Sequence, residues 1–367
     1  MKVHDADRTL TGHRMTEFLK GIAILLIVLV HSHQTFDLHP VAANVLSFSQ
    51  TATYLFFMLS AYGICFSYDK NKVNWPTFMR RRVGKLAPLY WTAIAVTAVY
   101  HLLYALVMSR SVLEEVNPLG VVINGLFLHG LFADLGINNL IVRGGWFVGT
   151  VVLLYAAFPA LHKLYNANNE KWKRVRLWAF PLGIYILTAL LSQAVRLIPN
   201  QPISTTVLDY STPFCFGFVL HDLNNRAGDR EKIRYAWLWS LLSLIPAATL
   251  YFTGAGVFNL GALFLSVFFF FLALSIMQAQ PYSNRLTRLV CHVGKHSYAI
   301  YLFHSFVAFD VAAVILWVLR KVYPNDTLWY LILLPIVIVL SYLVGFVLDS
   351  MIGVITRKSK NNDDKKA

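Results

Sequence analysis

Lys20 and His31 lie eleven residues apart, near the two ends of the first long apolar run of the chain. Eleven residues at about 100° each are three helical turns plus about 20°, so both side chains would share one helix face, about 16 Å apart along the axis. This separation is about half the hydrocarbon thickness of a bilayer. A cation near a membrane surface and an imidazole near the middle could hold the two ends of one long, anionic molecule.

His31 is the candidate catalytic residue. An ionisable side chain within an apolar segment is costly unless it faces a partner or a wet cavity. A neutral imidazole can take a proton from a hydroxyl while that hydroxyl attacks an acyl carbon, which is the work of a general base. The alternative is a structural histidine bonded to a neighbouring helix. His33 and Asp37 lie just outward, where they would orient His31, line an entrance or simply be solvated.

Four cations, Arg80, Arg81, Arg82 and Lys85, precede the third apolar segment. Arg82 and Lys85 are three residues apart and would share a helix face. Clustered guanidinium and ammonium groups suit a polyphosphate such as the nucleotide end of coenzyme A. Arg80, Arg82, Lys85 and Lys20 are therefore the candidate donor-binding residues. The alternative is a basic cluster that only fixes membrane topology.

Other polar and aromatic side chains lie in or beside apolar segments, where they could line a cavity or the acceptor side of a site. They are His33, Asp37, Ser60, Tyr90, Trp146, Tyr155, Tyr298, Tyr301 and His304. His304 lies about 11 Å by helical rise from the start of its segment at Ser297, so it would be a second buried imidazole. It could bond His31 or line the same cavity, and a purely structural hydrogen bond is the alternative. Three cysteines show no metal-ligand spacing, and we expect neither a metal nor a bound cofactor.

The composition is that of an integral membrane protein, with 57% hydrophobic residues, 14% charged residues and a mean hydropathy of +0.56. A net charge of +14 could indicate nucleic-acid binding, but the basic residues sit in short loops between apolar segments. That distribution is typical of cytoplasmic loops, and no basic soluble domain of a nucleic-acid reader is present. Lipid, and not nucleic acid, is the expected surrounding.

The fold predicted is an all-α bundle of about ten transmembrane helices. The candidate segments are 17–36, 45–67, 87–108, 143–163, 177–197, 205–222, 236–252, 256–279, 297–319 and 328–352. A further apolar stretch, 117–135, is interpreted as a re-entrant or interfacial segment, because a crossing there would turn basic loops outward. Both termini are then cytoplasmic, with an N-terminal segment at 1–16, a membrane domain at 17–356 and a disordered tail at 357–367.

Five motifs in order resemble the acyltransferase-3 family of bacterial membrane O-acyltransferases. They are Lys20 with His31, Phe56-Phe57-Met58-Leu59-Ser60, Arg82-x-x-Lys85 before Pro88-Leu89-Tyr90, Trp146-Phe147 with Tyr155 and Pro159, and Ser297-Tyr298-Ala299-Ile300-Tyr301-Leu302-Phe303-His304. The resemblance spans most of the chain. It implies a ten-span bundle in the cytoplasmic (inner) membrane, acyl-CoA as co-substrate and a carbohydrate hydroxyl as acceptor. His31 matches the essential histidine of the family, while Lys20, Arg82 and Lys85 match its donor-binding cations.

The expected function is therefore O-acylation of an envelope or cell-surface polysaccharide or its lipid-linked precursor, with acetyl favoured over succinyl by the prevalence of acetyl among relatives. Direct attack and an acyl-histidine intermediate both fit. The glycan and its side of entry stay open, as do the oligomeric state and partnership with glycan-biosynthesis proteins. A transporter or flippase of a glycan or lipid-linked saccharide is the alternative, with the histidines as a proton relay; a polysaccharide polymerase is a third class, although the chain lacks a long external loop.

Overall fold

The computed structural model describes residues 2–70, 73–112, 116–132, 142–167, 173–198, 206–225, 235–253, 260–279 and 285–363, and the regular elements within these ranges are all helices. They are α1 (Lys2–His33), α2 (Pro40–Ser47), α3 (Thr53–Lys70), α4 (Trp75–Val107), α5 (Pro118–Gly125), α6 (Gly145–Asn166), α7 (Lys173–Arg196), α8 (Thr206–Asn225), α9 (Ala236–Thr253), α10 (Leu260–Ala279), α11 (Arg285–Lys295), α12 (Ser297–Phe306), α13 (Ala312–Val322) and α14 (Asp326–Asp363). A 3₁₀ turn, Phe48–Ala52, leads into α3, and a π-helical segment, Val307–Val311, joins α12 to α13.

The predicted all-helical membrane bundle is confirmed in its class. Seven helical stretches of the described residues are long and apolar enough to cross a bilayer: His13–His33, Trp75–Val107, Gly145–Asn166, Val175–Arg196, Ala236–Thr253, Ser297–Val322 and Asp326–Ile355. A shorter apolar stretch, Leu260–Ile276, lies in α10. The count of ten spans and the cytoplasmic position of both termini stay predictions.

The other two predicted spans correspond to α3 and α8, which are helical but less hydrophobic because serine, tyrosine and aspartate interrupt them. These two helices pack against each other, and ten residues of α3 are buried. A helix shielded from lipid by its neighbours can carry polar side chains that a lipid-facing helix cannot. The bundle therefore places its more polar helices in the interior.

Within residues 117–132, the described part of the stretch predicted not to cross the membrane, the one helix is the short α5. Eight residues of α-helix rise about 12 Å, far less than a bilayer core. Turns follow α5, and Phe127 adopts a left-handed conformation with φ of 61°. This part of the chain agrees with a non-crossing segment, whereas residues 133–135 of the predicted stretch lie outside the described residues.

Small residues allow the interior helices to approach closely. A Cβ atom built on Gly217 of α8 would lie 2.7 Å from the Cβ atom of Ala61 and 2.8 Å from the backbone nitrogen of Tyr62, both on α3. No real side chain tolerates such distances, so the α3–α8 contact requires glycine at this position.

We expect Gly217→Ala to destabilise the purified protein by about 1–3 kcal/mol, the usual cost of overpacking a core. The measurement is thermal unfolding in detergent. Gly63→Ala on α3 is the matched control, because a Cβ atom there would meet nothing within 4 Å. An equal loss in both variants would contradict the close α3–α8 approach.

Candidate active site

Two histidine rings meet inside the bundle. The rings of His31 on α1 and His304 on α12 have centroids 5.0 Å apart and are tilted by 44°. His304 is 1% exposed, and its Nδ1 lies 2.6 Å from the backbone oxygen of Tyr301. A carbonyl oxygen only accepts, so Nδ1 carries the hydrogen and Nε2 carries a lone pair. That Nε2 atom is buried and has no hydrogen-bond partner.

Gln34 lies three residues after His31, just past the end of α1, and contacts the His31 ring. The Nδ1 atom of His31 lies 3.0 Å from Oε1 of Gln34. When this nitrogen donates to the amide oxygen, Nε2 of His31 is left with a lone pair, as a base requires. For His33 and Asp37 the sequence left orientation of His31, lining of an entrance and simple solvation open, and the contact with His31 Nδ1 is made by Gln34.

The π-helical segment after α12 brings Phe309 to the same histidine. The ring centroids of Phe309 and His31 are 5.6 Å apart. In a regular α-helix Phe309 would lie about 140° around the axis from His304, five residues earlier. The wider π turn lets both rings reach His31, and π segments occur often at functional sites. The hydroxyl of Thr35 also donates to the backbone oxygen of Ala308 in this segment, at 2.7 Å.

An ion pair borders the histidine pair. A guanidinium nitrogen of Arg143 lies 3.3 Å from a carboxylate oxygen of Asp310, and the hydroxyl of Tyr100 donates to the same carboxylate at 3.2 Å. The guanidinium also lies 4.9 Å from the ring centroid of Phe309. Arg143 thereby links the start of α6 to the π segment that contacts His31.

Gly144 and Gly145, which follow Arg143, bring α6 close to the site on two sides. A Cβ atom on Gly144 would lie 2.8 Å from the ring of Tyr301. One on Gly145 would lie 2.6 to 2.7 Å from three polar atoms, which belong to Tyr90, Asn124 and His129. The Tyr90 hydroxyl donates to Oδ1 of Asn124 at 3.1 Å, and both ring nitrogens of the buried His129 lack a hydrogen-bond partner. The segment predicted not to cross therefore contributes buried polar atoms at Gly145, next to the residue that lies against Tyr301.

An aromatic layer continues from the histidine pair into the bundle. Tyr301 packs 5.4 Å from His304 and 4.7 Å from Phe147, and Phe147 packs 5.9 Å from Phe56. The ring of Trp146 lies 6.1 Å from that of Phe147 and 5.5 Å from that of Tyr210. Phe147 and Tyr301, both in the predicted motifs, therefore share one contact network with His304.

Further polar contacts lie one helical turn along α3 from Phe56 of the aromatic layer. Ser60 and Tyr155 have hydroxyl oxygens 2.6 Å apart, between α3 and α6. The guanidinium of Arg82 donates to the hydroxyl of Ser67, about two helical turns along α3 from Ser60, and lies 5.6 Å from the ring of Phe78. Two predicted site residues, Ser60 and Tyr155, are therefore in contact, and Arg82 contacts the same helix, α3, further along.

The remaining predicted residues occupy separate places. Arg80 and Lys85 are exposed on α4. Lys20 is half-buried on α1, one turn from Glu17. His33 turns toward α2, where its Nε2 lies 3.2 Å from Oγ of Ser47.

Asp37 and Tyr298 each form a hydrogen bond to a different part of the bundle. The backbone N–H of Asp37 donates to the carboxylate of Asp326, and the hydroxyl of Tyr298 donates to the backbone oxygen of Leu86 at 3.2 Å. Within the described ranges no group of three or more His, Cys, Asp or Glu side chains could hold a metal ion.

We expect Asp310→Asn to expose His31 to chemical modification while changing stability little. The Arg143–Asp310 pair is partly solvated, so its loss should cost ~0.5–1 kcal/mol and raise the rate of His31 carbethoxylation about two- to fivefold. Mass spectrometry of the His31 peptide measures this rate. Asp326→Asn, which breaks the ion pair of Asp326 with Arg320, is the control. An unchanged rate in Asp310→Asn would rule out a positioning role for the pair.

Comparison with known proteins identifies the family to which this chain belongs. The model of the acyltransferase-3 family, described as an acyltransferase domain, matches residues 16–349, nearly the whole chain. No curated protein and no solved structure matches the chain significantly. The resemblance inferred from the five motifs is confirmed. The chain therefore belongs to the acyltransferase-3 family and is a multi-pass membrane acyltransferase that transfers groups other than aminoacyl groups.

Proposed function

We propose that the protein transfers an acyl group, most simply acetyl, from acyl-CoA to a hydroxyl of a cell-surface or envelope polysaccharide or of its lipid-linked precursor. His31 is the general base. The observation that carries this proposal is the contact between His31 and His304 in the interior of an acyltransferase bundle, where Nε2 of His304 has no hydrogen-bond partner. Such an arrangement is costly to bury, and it is well suited to hold a hydroxyl at His304 while the neighbouring His31 accepts its proton.

The chemistry balances with the residues present. The acceptor oxygen attacks the thioester carbonyl as its proton passes to Nε2 of His31. The carbon–sulfur bond then breaks, and the thiolate takes that proton as it leaves, so the products are an ester and free CoA–SH. Attack of His31 itself, giving an acyl-histidine that the acceptor then cleaves, is the second route compatible with the same positions.

His304 has a supporting role in this proposal. Its Nδ1–H is held by the backbone oxygen of Tyr301, which leaves the unpaired Nε2 near the ring of His31. An acceptor hydroxyl that enters beside the pair can donate to this nitrogen and is thereby held for attack. His304 is thus a substrate-orienting residue, and His31, the more exposed ring, exchanges the proton.

The acyl donor would be bound at the end of the bundle where α4 begins, away from the histidine pair. Arg82 donates to Ser67, about two helical turns along α3 from Ser60, and Ser60 is one helical turn along α3 from Phe56 in the aromatic layer. Arg82, with Arg80, Lys85 and Lys20, would bind the anionic part of acyl-CoA, while the pantetheine arm extends toward His31. Since acyl-CoA is made in the cytoplasm, this end of the bundle faces the cytoplasm and the enzyme is located in the inner membrane.

A glycan transporter loses support, because the family that matches is one of acyltransferases. A transporter has no use for a thioester, whereas the proposed reaction consumes one. The acceptor is best sought among O-antigen, capsule, exopolysaccharide, periplasmic glucan and smaller glycosides, and the enzymes that make those glycans are its expected partners.

The test is acyl transfer from radiolabelled acetyl-CoA to envelope glycan in membranes that carry the wild type or His31→Ala at equal abundance. We expect His31→Ala to lower kcat by about 10²- to 10⁴-fold, the range for loss of a general base. His304→Gln should mainly raise the KM for the acceptor.

His292→Gln is the matched control, because His292 is bonded to Tyr342, away from the histidine pair. It should retain full activity. Transfer by His31→Ala at the wild-type rate would reject His31 as the base. Absence of donor-dependent labelling with several acyl-CoAs and glycans would reject the proposed reaction.

A further inference from the structure

Helix α11 is a short helix that packs on α1 and does not cross the membrane. Its eleven residues, Arg285–Lys295, rise about 16 Å, which is too short to span a bilayer core. It contacts α1 near Glu17 and Gly21, in the first half of the apolar stretch His13–His33. The helix therefore lies close to the level at which α1 would enter the membrane.

Two glycines hold one side of α11 against α1. A Cβ atom on Gly294 would overlap the backbone oxygen of Glu17 and lie 2.7 Å from the backbone nitrogen of Gly21. A Cβ atom on Gly21 would in turn overlap the backbone oxygen of Val290. Thr287 is seven residues from Gly294, which places it on the same face, and it is buried as well. This side of α11 is therefore fixed on protein, and the opposite side is the exposed one.

The exposed side of α11 consists of an apolar strip and a basic strip. Leu286 and Leu289 form the apolar strip and are 68% and 60% exposed. Arg285, Arg288 and Lys295 form the basic strip and are exposed too. At about 100° per residue, Arg285 lies between Arg288 and Leu289 on the helix surface, about 60° from the one and about 40° from the other. The two strips therefore lie side by side.

Neighbouring carboxylates do not neutralise the basic strip. None of its three cations forms a hydrogen bond or an ion pair with another residue of the described part of the chain. The carboxylates of the two helices that flank α11 have other partners. Glu17 of α1 lies 3.3 Å from His13, and Asp349 of α14 lies 2.6 Å from His296. The strip is therefore available to an anion from outside the protein.

A fourth cation extends this basic surface onto α1. The backbone oxygen of Arg14 accepts a hydrogen bond from the thiol of Cys291 at 3.5 Å, and the Arg14 side chain is exposed. Cys291 lies about 60° from Arg288 around α11, on the side away from the leucines. Cations of two helices therefore border the same surface.

An anionic phospholipid has the chemistry that this surface fits. Guanidinium groups bind a phosphate through paired hydrogen bonds, and leucines beside them would contact the first part of the acyl chains. A soluble phosphate would use the cations but leave the leucines in water. A zwitterionic lipid would cover the leucines but brings no net charge to the cations. The adjacent strips therefore favour a lipid with a negatively charged headgroup.

We propose that the exposed side of α11, together with Arg14 of α1, binds the headgroup of an anionic phospholipid such as phosphatidylglycerol. Arg285 and Arg288 contact the phosphate, and Leu286 and Leu289 lie against the acyl chains. A lipid bound there contacts α1 and α11 at once and holds the two helices together at the membrane surface. This binding is independent of the proposed reaction.

The test is a titration of the purified, full-length protein in uncharged detergent with phosphatidylglycerol or phosphatidylcholine, with bound lipid counted by native mass spectrometry. We expect the double variant Arg285→Gln/Arg288→Gln to bind phosphatidylglycerol about 10- to 30-fold more weakly, the effect of two cations at an anionic membrane surface. Its weaker binding of phosphatidylcholine should not change. Arg80→Gln/Arg81→Gln, which removes two exposed cations from α4, is the matched control and should bind like the wild type.

Three results would overturn the proposal. Equal losses in the two double variants would mean a diffuse attraction to charge and no site on α11. Equal binding of both lipids by the wild type would mean that the headgroup charge is not recognised. Displacement of phosphatidylglycerol by an equal concentration of glycerol 3-phosphate, which has no acyl chains, would mean a site for soluble phosphate.

A second variant keeps the test valid if the double variant is unstable in detergent. Lys295→Gln leaves both arginines in place and should weaken binding of phosphatidylglycerol severalfold. Thermal unfolding without added lipid checks that each variant is folded. Addition of phosphatidylglycerol should then raise the unfolding temperature of the wild type more than that of Lys295→Gln, and an equal rise in both would contradict a role for the basic strip.

Discussion

The contact between two buried imidazoles is the constraint on which the rest of the structure depends. Polar rings inside a membrane bundle are unfavourable unless their nitrogens are satisfied or used. His304 is anchored by the carbonyl of Tyr301 in its own helix, and His31 by the side-chain amide of Gln34, the first residue after the end of α1. Each histidine is hydrogen-bonded to a residue three positions away along the chain. In the proposed reaction, the ring nitrogens that these bonds do not use would contact the substrate, while the other helices enclose the two rings.

That enclosure converges on six consecutive residues, 142–147, which precede and begin α6. Arg143 reaches the π segment, Gly144 lies against Tyr301, and Gly145 lies against polar atoms of Tyr90, Asn124 and His129. Phe147 joins the aromatic layer that leads to α3. Glycine at two successive positions is explained by these close approaches, since a Cβ atom at either would overlap a ring or a polar atom. The start of α6 therefore couples the histidine pair to both the outer ion pair and the interior path.

The sequence was sufficient for what depends on local pattern. Hydropathy located the helices, and the polar interior helices α3 and α8 were found although their own hydropathy is modest. The pairing of His31 with His304 was a stated possibility. Arg143 and Asp310 were missed because they are 167 residues apart and each alone is an ordinary residue near a span end. The π segment has no signature that separates it from an α-helix, so the position of Phe309 could not be derived. Glycines in a row were the available signal for the crowded start of α6.

The charged and uncharged parts of the proposed donor would bind at different levels of the bundle, because moving charge into the interior of the bundle is costly. In the proposed reaction, the phosphates of the donor would not approach the histidine pair, because Arg143, the cation described beside it, is already paired with Asp310. The phosphates would remain at the end of the bundle where Arg82 lies, while an uncharged arm covers the distance to the rings. A reactive thioester held beside a histidine must also be kept from water, which would otherwise compete with the acceptor. The 1% exposure of His304 and the aromatic layer beneath it provide that exclusion, whereas the greater exposure of His31 leaves an approach for the acceptor hydroxyl.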